Sequence, residues 1–166
     1  MQIELLKVGE LRTNCYIVTK NNQTIIIDPG DEYEKIKEIC QNKKIVGIFV
    51  THHHFDHIGA LKQLEEFYHV THNTSTIWNL EIIPCPGHAK DLICFYFKED
   101  NVLFSGDFIF YHTIGRCDLE GSNWQAMQKS IENIITYPQD IIIYPGHGNP
   151  TTLKEELPLL KQYLKM

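Results

Sequence analysis

Ile45-Val46-Gly47-Ile48-Phe49-Val50-Thr51-His52-His53-His54-Phe55-Asp56-His57 is the stretch on which the reading of this chain turns. Its first half is a short apolar run, as expected of a strand buried on both faces. The run feeds directly into a segment dense in histidine. If the chain stays extended, positions 52, 54 and 56 project to one side, and His57 swings to the other at the turn into a helix. Imidazole nitrogens suit zinc and iron, while a carboxylate adds negative charge and can bridge two ions. One tight turn thus offers ligands to two neighbouring centres. His53 falls between them as a spacer facing away.

Outward from this point the chain reads as strands and helices in two successive halves. Upstream lie strands over Ile3–Val8, Cys15–Thr19 and Thr24–Asp28, with Asn21-Asn22 turning between the last two. Asp28-Pro29-Gly30 ends the third, and Tyr33–Cys40 has helical periodicity. Ile58–Tyr68 is amphipathic, with Asp56 near its start suited to the positive end of the helix dipole. Downstream come strands over Thr76–Cys85, Leu92–Lys98 and Val102–Ser105, the last two joined around Glu99-Asp100-Asn101. A helix over Trp124–Thr136, a strand over Asp140–Tyr144 and a helix over Leu153–Leu164 follow, with Pro158 a kink or break. There is no linker or repeat, so residues 1–166 read as a single α/β domain: two packed sheets with helices outside.

Three later positions join the candidates: His88 in Pro86-Gly87-His88, Asp107 in Ser105-Gly106-Asp107, and His147 in Pro145-Gly146-His147. Each ends a strand and follows a glycine, which permits a sharp turn and close approach. His69 and His72 read as exposed loop residues, and His112 as a candidate lining residue of the pocket.

The net charge of -6 and pI near 5.8 argue against nucleic acid or an anionic membrane as partner, since both reward a basic surface. The first residues lack a basic region followed by an apolar core, so no signal peptide is expected. No apolar run approaches the roughly 20 residues needed to cross a bilayer. The cysteine count, 5, is odd and the chain lacks a CxxC pair, which reads as buried, reduced thiols in a cytoplasmic protein.

The order THHHFDH, PGHA, SGD, PGHG resembles the metallo-β-lactamase superfamily. Gly115-Arg116-Cys117-Asp118-Leu119 and Pro145-Gly146-His147-Gly148-Asn149-Pro150-Thr151-Thr152 are similar to segments of its small glyoxalase II-like branch. The resemblance implies an αββα four-layer sandwich with the site at one edge of two mixed sheets. It implies two divalent metal ions, zinc first, with iron or manganese as alternatives. His52, His54 and His88 would hold metal 1; Asp56, His57 and His147 would hold metal 2; Asp107 would bridge. Asp28 matches an acidic position that orients ligands without binding metal.

The implied activity is hydrolysis of a thioester or related small acyl compound, a glutathione thioester among them, by water that two cations activate toward a pKa of about 7. Asp56 and Asp107 would hold that water. Arg116 offers a bidentate fork for a substrate carboxylate, and His112 a second substrate contact. The alternative activity on this scaffold is that of a mononuclear iron sulfur dioxygenase; nuclease and lactonase readings rank below it. Departures from the family pattern bear on substrate. Only residues 58–87 separate His57 from His88, a short stretch for the family, and Ala89-Lys90-Asp91-Leu92 follows His88 where relatives tend to have Thr-x-Gly-Ser. No counterpart is expected of the helical domain that closes over glutathione in full-length glyoxalase II. A trimmed outer layer leaves monomer or homodimer open.

Overall fold

The computed structural model describes residues 1–74 and 76–166, which form two compact units, Met1–Ile77 and Trp78–Met166. In the first, β1 (Gln2–Val8), β2 (Thr13–Lys20), β3 (Gln23–Ile27), α1 (Tyr33–Ile39), β4 (Ile45–Phe49), α2 (Phe55–Ile58) and α3 (Leu61–Tyr68) follow in order. The four strands make one mixed sheet in chain order. β1, β2 and β3 pair antiparallel, and β4 joins β3 parallel after the α1 crossover. The triple isoleucine explains the centre. Ile26 packs with Ile17, Ile36, Ile48 and Leu64, while Ile25 and Ile27 project to the opposite face and are equally buried. Each such side chain is worth roughly 1.5–3 kcal/mol of burial.

The segment Ile58–Tyr68 is not one helix. In a continuous helix the Ala60 N–H would bond the Asp56 carbonyl; here it donates to the Pro29 carbonyl at 2.9 Å. The Asp28-Pro29-Gly30 turn captures the chain at Gly59-Ala60, so α2 stops after one turn and α3 starts afresh. Leu61 and Leu64 then supply the buried side of α3.

The second unit contains β5 (Leu80–Pro84), β6 (Ile93–Phe97), β7 (Val102–Gly106), β8 (Ile109–Phe110), β9 (Thr113–Ile114), α4 (Trp124–Ile134), β10 (Ile142–Pro145), β11 (Thr151–Thr152) and α5 (Leu153–Tyr163). Its sheet is also mixed, in the order β11-β10-β7-β6-β5, with β10 parallel to β7 and the other pairs antiparallel. Met127, Ile131 and Ile134 of α4 and Leu160 of α5 pack with Ile83, Leu103 and Ile143 of the sheet. Side-chain oxygens of Asn123 and Thr152 cap α4 and α5.

Two further expectations are corrected by the second unit. The strand predicted from Thr76 begins only at Leu80, because Trp78 and Asn79 adopt left-handed backbone (φ 52° and 54°), which no strand accommodates. Pro158 does not break α5. It sits on the exposed side, where the Lys154 carbonyl it leaves unbonded can meet water. The two-residue strands β8, β9 and β11 are too short for any periodic signal. The five cysteines carry thiols, not disulfides; four are buried and Cys117 is half-buried. Burial pushes the Cys15 thiol well up and the Cys40 thiol to about 11. Among the described residues no helix is long and apolar enough to cross a membrane.

Candidate metal centre

β4 delivers Val50 and Thr51 into an extended turn carrying His52, His53 and His54, and α2 then presents Asp56 and His57 in a single helical turn. Alternation along a strand therefore does not place Asp56; the strand-to-helix turn does. The His52 ring lies 4.5 Å from that of His54 and 4.2 Å from that of His57, centroid to centroid. His57 Nε2 is 3.5 Å from Asp56 Oδ2. His52 and His57 are buried; His54 and Asp56 are partly exposed.

Asp28 is the hub of this half. Fully buried and in left-handed backbone (φ 51°), it accepts the Thr51 N–H at 2.7 Å, the Thr51 hydroxyl at 2.8 Å and the His57 Nδ1–H at 3.0 Å. The network fixes tautomers. Thr51 has one hydroxyl proton and gives it to Asp28, so its oxygen accepts from His52 Nδ1, 3.1 Å away. His52 and His57 both carry the proton on Nδ1, leaving Nε2 as the lone-pair nitrogen. Asp56 is held separately, its Oδ2 accepting the Thr13 hydroxyl at 2.8 Å.

The second unit brings together residues from three strand ends. Asp107 follows β7, His147 follows β10, which runs parallel to β7, and His88 sits on the loop after β5. Asp107 Oδ2 is 3.4 Å from His88 Nε2 and 3.6 Å from His147 Nε2. One carboxylate oxygen thus stands beside both imidazoles. His88 Nδ1 donates to the Arg116 carbonyl at 2.9 Å, which again assigns the lone pair to Nε2. Gly115 permits this approach: a Cβ there would fall 1.9 Å from the Asp107 carbonyl oxygen and 2.9 Å from His88 Cβ.

The two candidate substrate residues are placed differently. Arg116 is exposed and its fork is taken by Asp118, at 2.6 and 2.7 Å, which holds the Asp118 carboxyl below its ordinary value. His112 occupies the β8–β9 turn with φ 59°; its N–H donates to the buried Glu156 at 3.0 Å, and its ring lies 3.8 Å from Glu155 and Glu156. A cavity of about 290 Å³ adjoins Asp56, with Gly9, Leu11, Gly30 and Phe55 in its walls. A larger one of about 710 Å³, beside α1 and α3, has none of the predicted ligands in its walls.

Thr51, Thr13 and the Arg116 carbonyl are the contributors that sequence reasoning missed. Thr51 adjoins the histidine cluster and was readable there; a lone Thr and a backbone oxygen leave no signal. His72, expected as an exposed loop residue, is only half exposed, and its Nε2 lies 3.3 Å from that of the exposed His53.

A family model described as the metallo-beta-lactamase superfamily matches residues 8–74 and 69–147. The two stretches meet inside the short segment between His57 and His88. The chain is 32% identical to an uncharacterized protein of Aquifex aeolicus, over 94% of each sequence. It is 28% identical to hydroxyacylglutathione hydrolase GloC of Haemophilus influenzae, over 94% of this chain and 95% of that one. Its fold is similar to the crystal structure of BLEG-1 B3 metallo-beta-lactamase (TM-score 0.85, 25% identity, covering 95% of this chain and 97% of that one). It is equally similar to TTHA1623 in a di-iron-bound form (TM-score 0.85, 28% identity, 93% and 96%). The α/β architecture with two mixed sheets is the one these structures share.

Proposed function

We propose a function from one premise: the chain belongs to the metallo-beta-lactamase superfamily. The reading is a binuclear metal-dependent hydrolase of a thioester or related small acyl compound. The observation that carries it is the shared tautomer of His52, His57 and His88. Each has Nδ1 engaged by an oxygen behind it, as metal-binding histidines do, so that Nε2 is the ligand atom. With His54, His147 and two aspartates these make the nitrogen and oxygen donor set of zinc or iron.

In this reading His52, His54 and His88 would hold one divalent ion and Asp56, His57 and His147 a second, with Asp107 available to both. The position of Asp107 Oδ2 beside both His88 and His147 supports the bridging role. Bound there, divalent ions would supply the positive charge that lowers the pKa of water from about 15.7 toward 7 and that stabilises an oxyanion. The chain does the rest. Asp28 and Thr51 fix the two buried imidazoles and Thr13 orients Asp56, and the Asp56 and Asp107 carboxylates would accept hydrogen bonds from a water activated there. A thiol leaving group, with a reference pKa near 8.5, departs without a general acid. Leu11 and Phe55, 55% and 75% exposed beside the Asp56 cavity, offer apolar surface to an acyl group. Arg116 reaches a substrate carboxylate only by releasing Asp118, and His112 would act from a turn tied to Glu156.

The name of the Haemophilus relative supports a glutathione thioester, and the di-iron neighbour keeps iron beside zinc as the native metal. The same reading keeps the protein in the cytoplasm, acting on a small molecule with no nucleic-acid or membrane partner. The test is a thioester panel that includes S-lactoylglutathione. Hydrolysis abolished by chelation and by His54→Ala is expected. Inert thioesters with metals bound would overturn the reading; oxygen uptake with a glutathione persulfide would replace it with the sulfur dioxygenase.

A further inference from the structure

Outside the proposed centre, the first unit pairs two histidines that the sequence separates. His53 Nε2 lies 3.3 Å from His72 Nε2, with ring planes 67° apart and centroids 5.4 Å apart. Behind His72, Glu65 Oε1 accepts both the Nδ1–H, at 2.8 Å, and the backbone N–H, at 2.7 Å. Those two bonds offset the burial of Glu65 and keep its carboxyl below the ordinary range, so a carboxylate faces the ring.

Three features converge. Two imidazole nitrogens bound to one tetrahedral zinc at 2.0–2.1 Å stand about 3.3 Å apart, the separation found here. The carboxylate on Nδ1 fixes the tautomer of His72 so that Nε2 carries the lone pair, the arrangement of a carboxylate–histidine–zinc triad. Finally, His53 is exposed and His72 half exposed, which leaves room for water as the remaining ligands. Without a cation, one proton shared between the nitrogens satisfies the same distance.

We propose that His53 and His72, with Glu65 behind His72, form an additional surface site for a borderline divalent cation of the zinc, copper or nickel class. It is separate from the seven ligands assigned above. His53 lies in the turn after β4 and His72 in the segment after α3, so a cation on both would tie the histidine-rich turn to that segment. Stabilisation by the cation follows from linkage.

The test is zinc uptake by the protein purified with its own metals in place, followed by equilibrium dialysis and by thermal unfolding. Wild type is expected to take up one zinc per chain more than His53→Ala or His72→Ala, and its melting temperature to rise with added zinc where theirs stays flat. Glu65→Gln, which keeps both nitrogens, is expected to weaken that uptake by about 10-fold or more. Circular dichroism of the variants without added zinc checks that they fold. Equal zinc uptake by wild type and both folded alanine variants would overturn the site, as would a wild type that takes up none.

Discussion

The two units hold their candidate ligands by different means. In the first, four candidate ligands come from six consecutive residues, and side chains hold three of them: Asp28 grips Thr51 and His57, Thr51 grips His52, and Thr13 grips Asp56. In the second, three ligands come from three separate strand ends, and backbone does the holding. The Arg116 carbonyl fixes His88, the β7–β10 pairing brings the ends carrying Asp107 and His147 side by side, and Gly115 clears the space. A side-chain scaffold is open to point mutation; a backbone scaffold responds only where the backbone itself is crowded. The first half should therefore be chemically brittle in a way the second is not, while both are sterically brittle where a glycine is crowded by backbone.

The largest effect is the one place where the halves should agree. A Cβ on Gly30 would fall 1.7 Å from the Asp56 carbonyl oxygen, and one on Gly115 would fall 1.9 Å from that of Asp107. Neither obstacle is a flexible side-chain end. Gly30→Ala and Gly115→Ala are each expected to cost about 3 kcal/mol or more, visible as a collapsed denaturant midpoint or a failure to fold.

Next comes the chemical difference. Asp28→Asn keeps the shape but removes the charge that holds His57 and Thr51, and metal affinity should fall about 10- to 100-fold in chelator competition. Thr51→Val removes one of the two hydrogen bonds to Asp28 Oδ2 and the oxygen that accepts from His52 Nδ1. It should cost about 1–3 kcal/mol in equilibrium unfolding.

A smaller effect is read by pH. Burial raises the Cys40 thiol from 9.0 to about 11, so the folded state resists forming the thiolate. The sign follows: this contribution is complete below pH 9 and is lost as pH rises from 9 toward 11. Cys40 alone should lower stability by about 1 kcal/mol near pH 10, and Cys40→Ala should make the slope shallower by that share, leaving the part due to the buried Cys15 thiol. The smallest effect is a null. Because His88 is held by the backbone oxygen of residue 116, Arg116→Ala should leave metal affinity unchanged, and a marked loss would break the contrast between the halves.

How much was legible in the sequence follows the same division. The candidate donors of the first unit were plain because they are contiguous in sequence. His88, Asp107 and His147 were readable because each follows a glycine at the end of an apolar run. The α/β class followed from buried runs such as Ile25–Ile27. What escaped depends on partners distant in sequence. The break between α2 and α3 is caused by the Pro29 carbonyl, and the His53–His72 pair spans 19 positions. The late start of β5 rests on two left-handed residues, Trp78 and Asn79; Asn tolerates that backbone, but Trp gives no sign of it.

Metal content per chain, measured on the same purified sample as thioester turnover, tests the central claim most directly. The account predicts two tightly held divalent ions per chain, with hydrolysis lost as they are stripped and regained as they return. A single iron per chain accompanied by oxygen uptake, or two bound metals with every thioester inert, would contradict it.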